Sequence, residues 1–126
     1  MILVDDKYSI SYPIAILFDW DNTLVDSWPA IYQAMHHTFI KYGRKPWTLD
    51  EVKTNVHRSV RDALPFLFPD NWEEVAKVYR QHYKDFSTNL AVLPNVEDTL
   101  DLTKTKQIYT ALISNKRTDK IGRAHV

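Results

Sequence analysis

A chain of 126 residues is one domain or part of one, and 44% apolar with 25% charged residues is the make-up of an ordinary soluble globular protein. That composition excludes a disordered tail and a collagen-like repeat, and the lack of any cysteine excludes a disulfide scaffold, a thiolate zinc site and a cysteine nucleophile. Sixteen basic and sixteen acidic side chains give a net charge of zero, so no basic excess points to a nucleic-acid partner.

The start, Met1 to Asp6, lacks the basic residues and apolar stretch of a signal peptide. The longest clean apolar run, Ile14 to Phe18, is far short of the ~20 residues of a membrane helix. The expected setting is the cytoplasm, with no membrane partner. That run ends at Asp19 and reads as a strand buried on both faces of a parallel sheet.

Residues 27–42 read as a helix, with Pro29 in its first turn and Ile31, Met35, Phe39 and Tyr42 on one face. Gly43 is a natural stop. Residues 49–56 and 59–67 are weaker helix candidates, and Pro65 predicts an early end to the second. The strongest helix spans 71–86. Asp70 or Asn71 caps it, Glu73 and Glu74 suit its N-terminal dipole, and Trp72, Val75, Ala76, Tyr79, Tyr83 and Phe86 form a packing stripe. A helix near 95–105 follows Pro94. Residues 108–113 read as a second buried strand ending at Ser114 and Asn115, and a last helix is expected near Thr118.

Strand, helices, strand is the order of an α/β protein: a parallel-sheet core, Rossmann-like and incomplete, with an inserted helical bundle. Two strands are few, since a sheet averages about five or six, and two strands alone leave an edge and apolar surface exposed. The expected remedies are a homodimer, strand exchange or a complementing second chain, or a helical bundle that carries most of the stability. Two glycines are also few, where ordinary usage is ~7%. Glycine concentrates in turns and ligand loops, so loops that normally carry it are missing.

The chemistry concentrates in Phe18-Asp19-Trp20-Asp21-Asn22-Thr23. Two carboxylates one residue apart follow a strand, at the sheet end where open α/β proteins bind ligands. Side-chain direction repeats every second residue, so Asp19 and Asp21 can face one side. Close like charges call for a cation, and a small set of hard oxygen ligands suits Mg²⁺ shared with a phosphate. The bland reading is a solvated turn with an Asx cap; the preceding strand and Thr23 weigh against it.

The run Ile16 to Ser27 resembles the first motif of the haloacid dehalogenase superfamily, Asp-x-Asp-x-Thr at a strand end. Ile113-Ser114-Asn115-Lys116 is similar to its second motif, and Leu93 through Leu100 to the segment leading back from the helical cap. The resemblance covers almost the whole chain and points to the phosphoglycolate-phosphatase-like branch. It implies a first core part at 1–25, a helical cap at 26–90 and a second, incomplete core part at 91–126. It implies a Mg²⁺-dependent phosphatase acting on a small phosphomonoester through an aspartyl phosphate. Asp19 would be the nucleophile and Asp21 the acid and base. Thr23 would hold the loop, Ser114 and the Asn115 N–H would bind phosphoryl oxygens, and Asp19 and Asp21 would hold the metal.

Some positions depart from the family pattern. Asn22 stands where Gly is common, and Asn tolerates a left-handed backbone. Trp20 is bulky between the two carboxylates. No convincing third-motif Lys precedes Val126, Lys120 lying only six residues past Ser114, and no acidic residue follows Asp119. The resemblance therefore implies a truncated chain: either a phosphatase completed by a second chain, or an inactive relative that binds metal or phosphate. His36 and His37 face different ways on a helix and read as surface or core residues. His57, Arg58 and Arg61 lie in a cap segment where the branch often contacts substrate, but a solvated face is the favoured reading of them.

Overall fold

The computed structural model describes residues 11–56 and 59–114. His57, Arg58, Asn115 and the helix expected near Thr118 lie outside the described residues. The elements run β1 (Ala15–Phe18), β2 (Val25–Asp26), α1 (Trp28–Lys41), α2 (Leu49–Asn55), α3 (Val60–Leu67), α4 (Trp72–Phe86), β3 (Ala91–Val92), α5 (Val96–Thr105) and β4 (Tyr109–Leu112). The chain divides into two compact units, Met1–Leu24 with Val92–Val126, and Val25–Ala91. It is an α/β protein with a parallel strand pair and helices.

The Val25–Ala91 unit is helical. Its core joins Met35 and Phe39 of α1, Val52 of α2, Val60 and Leu64 of α3, and Val75 and Ala76 of α4, with Val56 and Phe68 at helix ends. α1 packs on α4 and α2, and α3 on α4. Burial of Thr38 inside this core costs no hydrogen bond, because its hydroxyl donates to the Ala34 carbonyl at 2.6 Å. Gly43 takes a left-handed φ of 67°. There its N–H donates to the Ile40 carbonyl and that of Arg44 to Phe39, a closed end to α1 that a Cβ-free residue adopts without strain.

Caps fix the shorter helices. Thr48 and Glu51 form a reciprocal capping box at α2, a Thr-x-x-Glu signal plain in the sequence. The Ser59 hydroxyl accepts the Asp62 N–H at 3.2 Å and starts α3. Asn71 occupies the N-cap of α4, yet its side chain makes no cap bond. α3 does not end early at Pro65 but runs to Leu67. Leu64 and Phe68 are both core residues, and the Phe68 N–H still donates to the Leu64 carbonyl at 2.8 Å, so packing holds the turn that follows the proline. The Arg44 guanidinium lies 4.1 Å over the Phe68 ring and donates to the Leu67 carbonyl.

β2 and β3, two residues each, pair with one another and carry no periodic signal for a sequence reading to find. β1 and β4 pair in parallel in a two-stranded sheet, with Ala15 opposite Tyr109, Ile16 opposite Thr110, Leu17 opposite Ala111 and Phe18 opposite Leu112. Neither strand is buried on both faces, as their apolar runs predict. In β1 only Ile16 and Phe18 are half-buried, and all of β4 is exposed. Burial on two faces requires layers on both sides, and among the described residues of this unit α5 is the helix that packs on β4.

Candidate functional site

The parallel pairing sets both strand C-termini at one end of the sheet. Phe18 is the last residue of β1 and lies opposite Leu112, the last of β4. The Ile113 N–H donates to the Phe18 carbonyl at 2.8 Å, so the pairing continues to the residue before Asp19. Asp19 therefore leaves the sheet beside Ile113, and Ser114 follows one residue further. Residues 95 positions apart in the chain reach the same sheet end (114 − 19). Asp19 is exposed and Ser114 half-buried.

The chain turns sharply after Asp19. The Thr23 and Leu24 N–H groups both donate to the Trp20 carbonyl, at 3.3 and 3.0 Å. Asn22 supplies the left-handed step with φ of 58°, the conformation its short polar side chain tolerates. This turn returns the chain to β2 and leaves Asp21 half-buried and Thr23 exposed. Asp26, carried along in the motif, serves the next helix: its carboxylate accepts the Trp28 N–H at 3.3 Å.

Asp19 and Asp21 are hard oxygen donors at a strand end open to solvent. Among the described residues no group of three or more His, Cys, Asp or Glu is placed to hold a metal. A pair of carboxylates fits Mg²⁺, an ion that keeps several waters and takes few protein ligands. His36 and His37 do not form such a pair. Their rings sit 5.8 Å apart at 70°, and His37 stacks on Phe86 at 5.1 Å and meets His82 at 5.5 Å, within the α1–α4 packing. Arg61 is exposed on α3. A hollow of about 450 Å³ at the start of α4 is lined by Asp70, Glu73 and Glu74 with Lys77. Its carboxylates disfavour a phosphate dianion.

Comparison with known proteins gives concordant results. The sequence profile of the haloacid dehalogenase-like hydrolases matches residues 16–124. A phosphoglycolate phosphatase of Aquifex aeolicus is 34% identical over 106 residues, covering 80% of this chain and 48% of that protein. A phosphorylated carbohydrates phosphatase of Thermotoga maritima is 31% identical over 107 residues, with 80% and 49% covered. The structure of a haloacid dehalogenase-like family hydrolase from Streptococcus pneumoniae superposes with a TM-score of 0.74 at 25% identity, over 84% of this chain and 51% of that one. The chain spans about half the length of the curated relatives it matches. No helix among the described residues is long and apolar enough to cross a membrane.

Proposed function

The chain belongs to the haloacid dehalogenase-like hydrolase family, and on that premise we propose that it carries the nucleophile-bearing half of a phosphatase site for a small phosphomonoester such as phosphoglycolate. The observation that carries this reading is the parallel register that ends β1 and β4 together, with Asp19 and Ser114 at one sheet end. A carboxylate nucleophile needs an open approach, and Asp19 is exposed.

In the first step an Asp19 carboxylate oxygen bonds to phosphorus as the ester P–O bond breaks. Asp21 gives its proton to the departing alkoxide, so the alcohol leaves neutral. In the second step Asp21 takes a proton from water, the water oxygen bonds to phosphorus, and the Asp19–phosphorus bond breaks to release inorganic phosphate. The Ser114 hydroxyl and the Asn115 N–H donate to the phosphoryl oxygens, where charge builds in the transition state. Thr23 holds the turn that carries Asp21. The Asp19 carboxylate and the Asp21 backbone carbonyl would hold Mg²⁺, which when bound offsets the repulsion between phosphate and nucleophile and leaves the Asp21 carboxyl free for proton transfer. A reducing, cytoplasmic setting suits a chain without cysteine.

The resemblance also allows a second reading. The residues present then bind phosphate and metal, and turnover needs groups from a second polypeptide. One experiment separates the two: hydrolysis of a generic aryl phosphate with Mg²⁺ and with EDTA, beside Asp19→Asn. Activity lost in both EDTA and Asp19→Asn is the expected result. A folded chain with no turnover, but with Mg²⁺-dependent phosphate binding, selects the second reading. Activity that survives Asp19→Asn overturns both.

A further inference from the structure

Two histidines of the helical unit meet across its main helix pair. α1 packs on α4, and the His37 and His82 rings stand 5.5 Å apart, centroid to centroid, at 34°. His37 is exposed and His82 half-buried. Phe86 lies one turn beyond His82 on the same face of α4 and stacks on His37 at 5.1 Å and 26°. The His37 ring is thus held beside His82 from one side. No hydrogen bond among the described residues engages a nitrogen of either ring. The spacing is that of two imidazoles on one ion. A metal–nitrogen bond of ~2.0–2.1 Å and a ring radius of ~1.2 Å put each centroid ~3.2 Å from the metal, so a tetrahedral ligand angle separates two centroids by ~5.2 Å. His36 does not replace either ring. It neighbours His37 in α1, adjacent helical residues do not face one another, and its Nδ1 is buried.

We propose that His37 and His82 form a site for a divalent transition ion, Zn²⁺ foremost, which clips α1 to α4. Imidazole suits Zn²⁺, Cu²⁺ and Ni²⁺, whereas Mg²⁺ takes oxygen ligands. The site therefore differs, in residues and in metal, from the one at Asp19 and Asp21. Among the described residues no third His, Cys, Asp or Glu joins the pair. Water fills the remaining positions, and the affinity is modest, in the micromolar range. Rotation about χ2 is soft for histidine, so each ring turns a nitrogen toward the ion at little cost. An ion held by both rings needs the folded pairing of α1 with α4, and it stabilises that unit by linkage. This inference does not depend on the catalytic reading.

Calorimetric titration of the 126-residue chain with ZnCl₂, at neutral pH and with excess Mg²⁺ to occupy oxygen ligands, tests it. The parent should bind one Zn²⁺ with a micromolar dissociation constant and unfold at a higher temperature with the ion than without. His37→Gln and His82→Gln should each weaken binding by at least about tenfold, equivalent to ~1.4 kcal/mol. Both should lose most of the thermal shift and keep the helical circular dichroism of the parent. Asp19→Asn, and the double variant His57→Gln with His125→Gln, should bind as the parent does. Cu²⁺ serves as a second probe that counts ligands directly. Its electron paramagnetic resonance should show nitrogen couplings from two imidazoles in the parent and from one in the His37 or His82 variant. No Zn²⁺ binding by the parent, binding unchanged in either the His37 or the His82 variant, binding lost in Asp19→Asn or in the His57 and His125 double variant, or coupling to a single imidazole in the parent would each overturn the proposal.

Discussion

The Ile113 amide donates to the Phe18 carbonyl at 2.8 Å. That bond joins the last paired residue of β1 to the residue that follows β4, and Asp19 and Ser114 continue from that end of the sheet. The two residues lie 95 positions apart in the chain, and the parallel register brings both to that end.

If Ser114 binds the phosphoryl group, its hydroxyl matters to chemistry. Ser114→Ala should lower kcat/KM for an aryl phosphate by about 10²-fold, the scale of one lost donor at a developing charge. Affinity for inorganic phosphate should fall as well. Unaltered phosphate affinity in the variant would count against this role.

Leu64 and Phe66 lie two residues apart on α3 and have opposite environments. Leu64 is 1% exposed and belongs to the helical core, whereas Phe66 is 89% exposed. Leu64→Ala should cost about 2–5 kcal/mol. Phe66→Ala should fall within ~0.5 kcal/mol of the parent. Urea midpoints of the two variants measure the difference directly.

Pro65 interrupts α3 at the bond its missing N–H would make to the Arg61 carbonyl. An interior proline costs about 3 kcal/mol relative to alanine, partly offset by ~0.4–1 kcal/mol from restricting the unfolded chain. Pro65→Ala should therefore raise stability by about 2–2.6 kcal/mol. A loss on equilibrium unfolding would mean that the ring itself packs productively.

Burial, with the Glu74 carboxylate beside it, pushes the Tyr42 phenol above its ordinary value of 10.0. The folded chain thus holds this proton more tightly than the unfolded chain does. Its contribution to stability is complete below the unfolded-state value and is lost as pH rises through the folded-state value. Tyr42→Phe should flatten the alkaline decline above pH ~10 and leave neutral stability intact. No hydrogen bond of ordinary geometry is lost with the Oη atom, which Glu74 faces closely enough to act on its proton. Equal alkaline slopes in parent and variant would refute this account.

Much of the architecture is legible in local sequence, because helices and caps are short-range devices. The apolar spacing of Met35 and Phe39, the Trp72-to-Phe86 stripe and the position of Gly43 place α1 and α4 to within a residue or two. The Asp19–Asp21 motif and its turn are local as well, since Asn22 needs only its own backbone freedom to make the left-handed step. Membership of the family is legible for the same reason.

Other properties belong to neighbours rather than to residues. Ile14 to Phe18 reads as a strand buried on both faces, yet Leu17 faces water, because burial depends on what lies across the sheet. α3 continues past Pro65 because Leu64 and Phe68 are held from outside the helix. β2 and β3 are too short for any pattern to announce. The sequence by itself determined which segments become strands and helices and which carboxylates end β1, since those follow from short-range sterics and periodicity. Only the tertiary structure decided the register in which β4 lies beside β1 and how much of the two strands is exposed, because register and burial depend on both segments and on what packs across them.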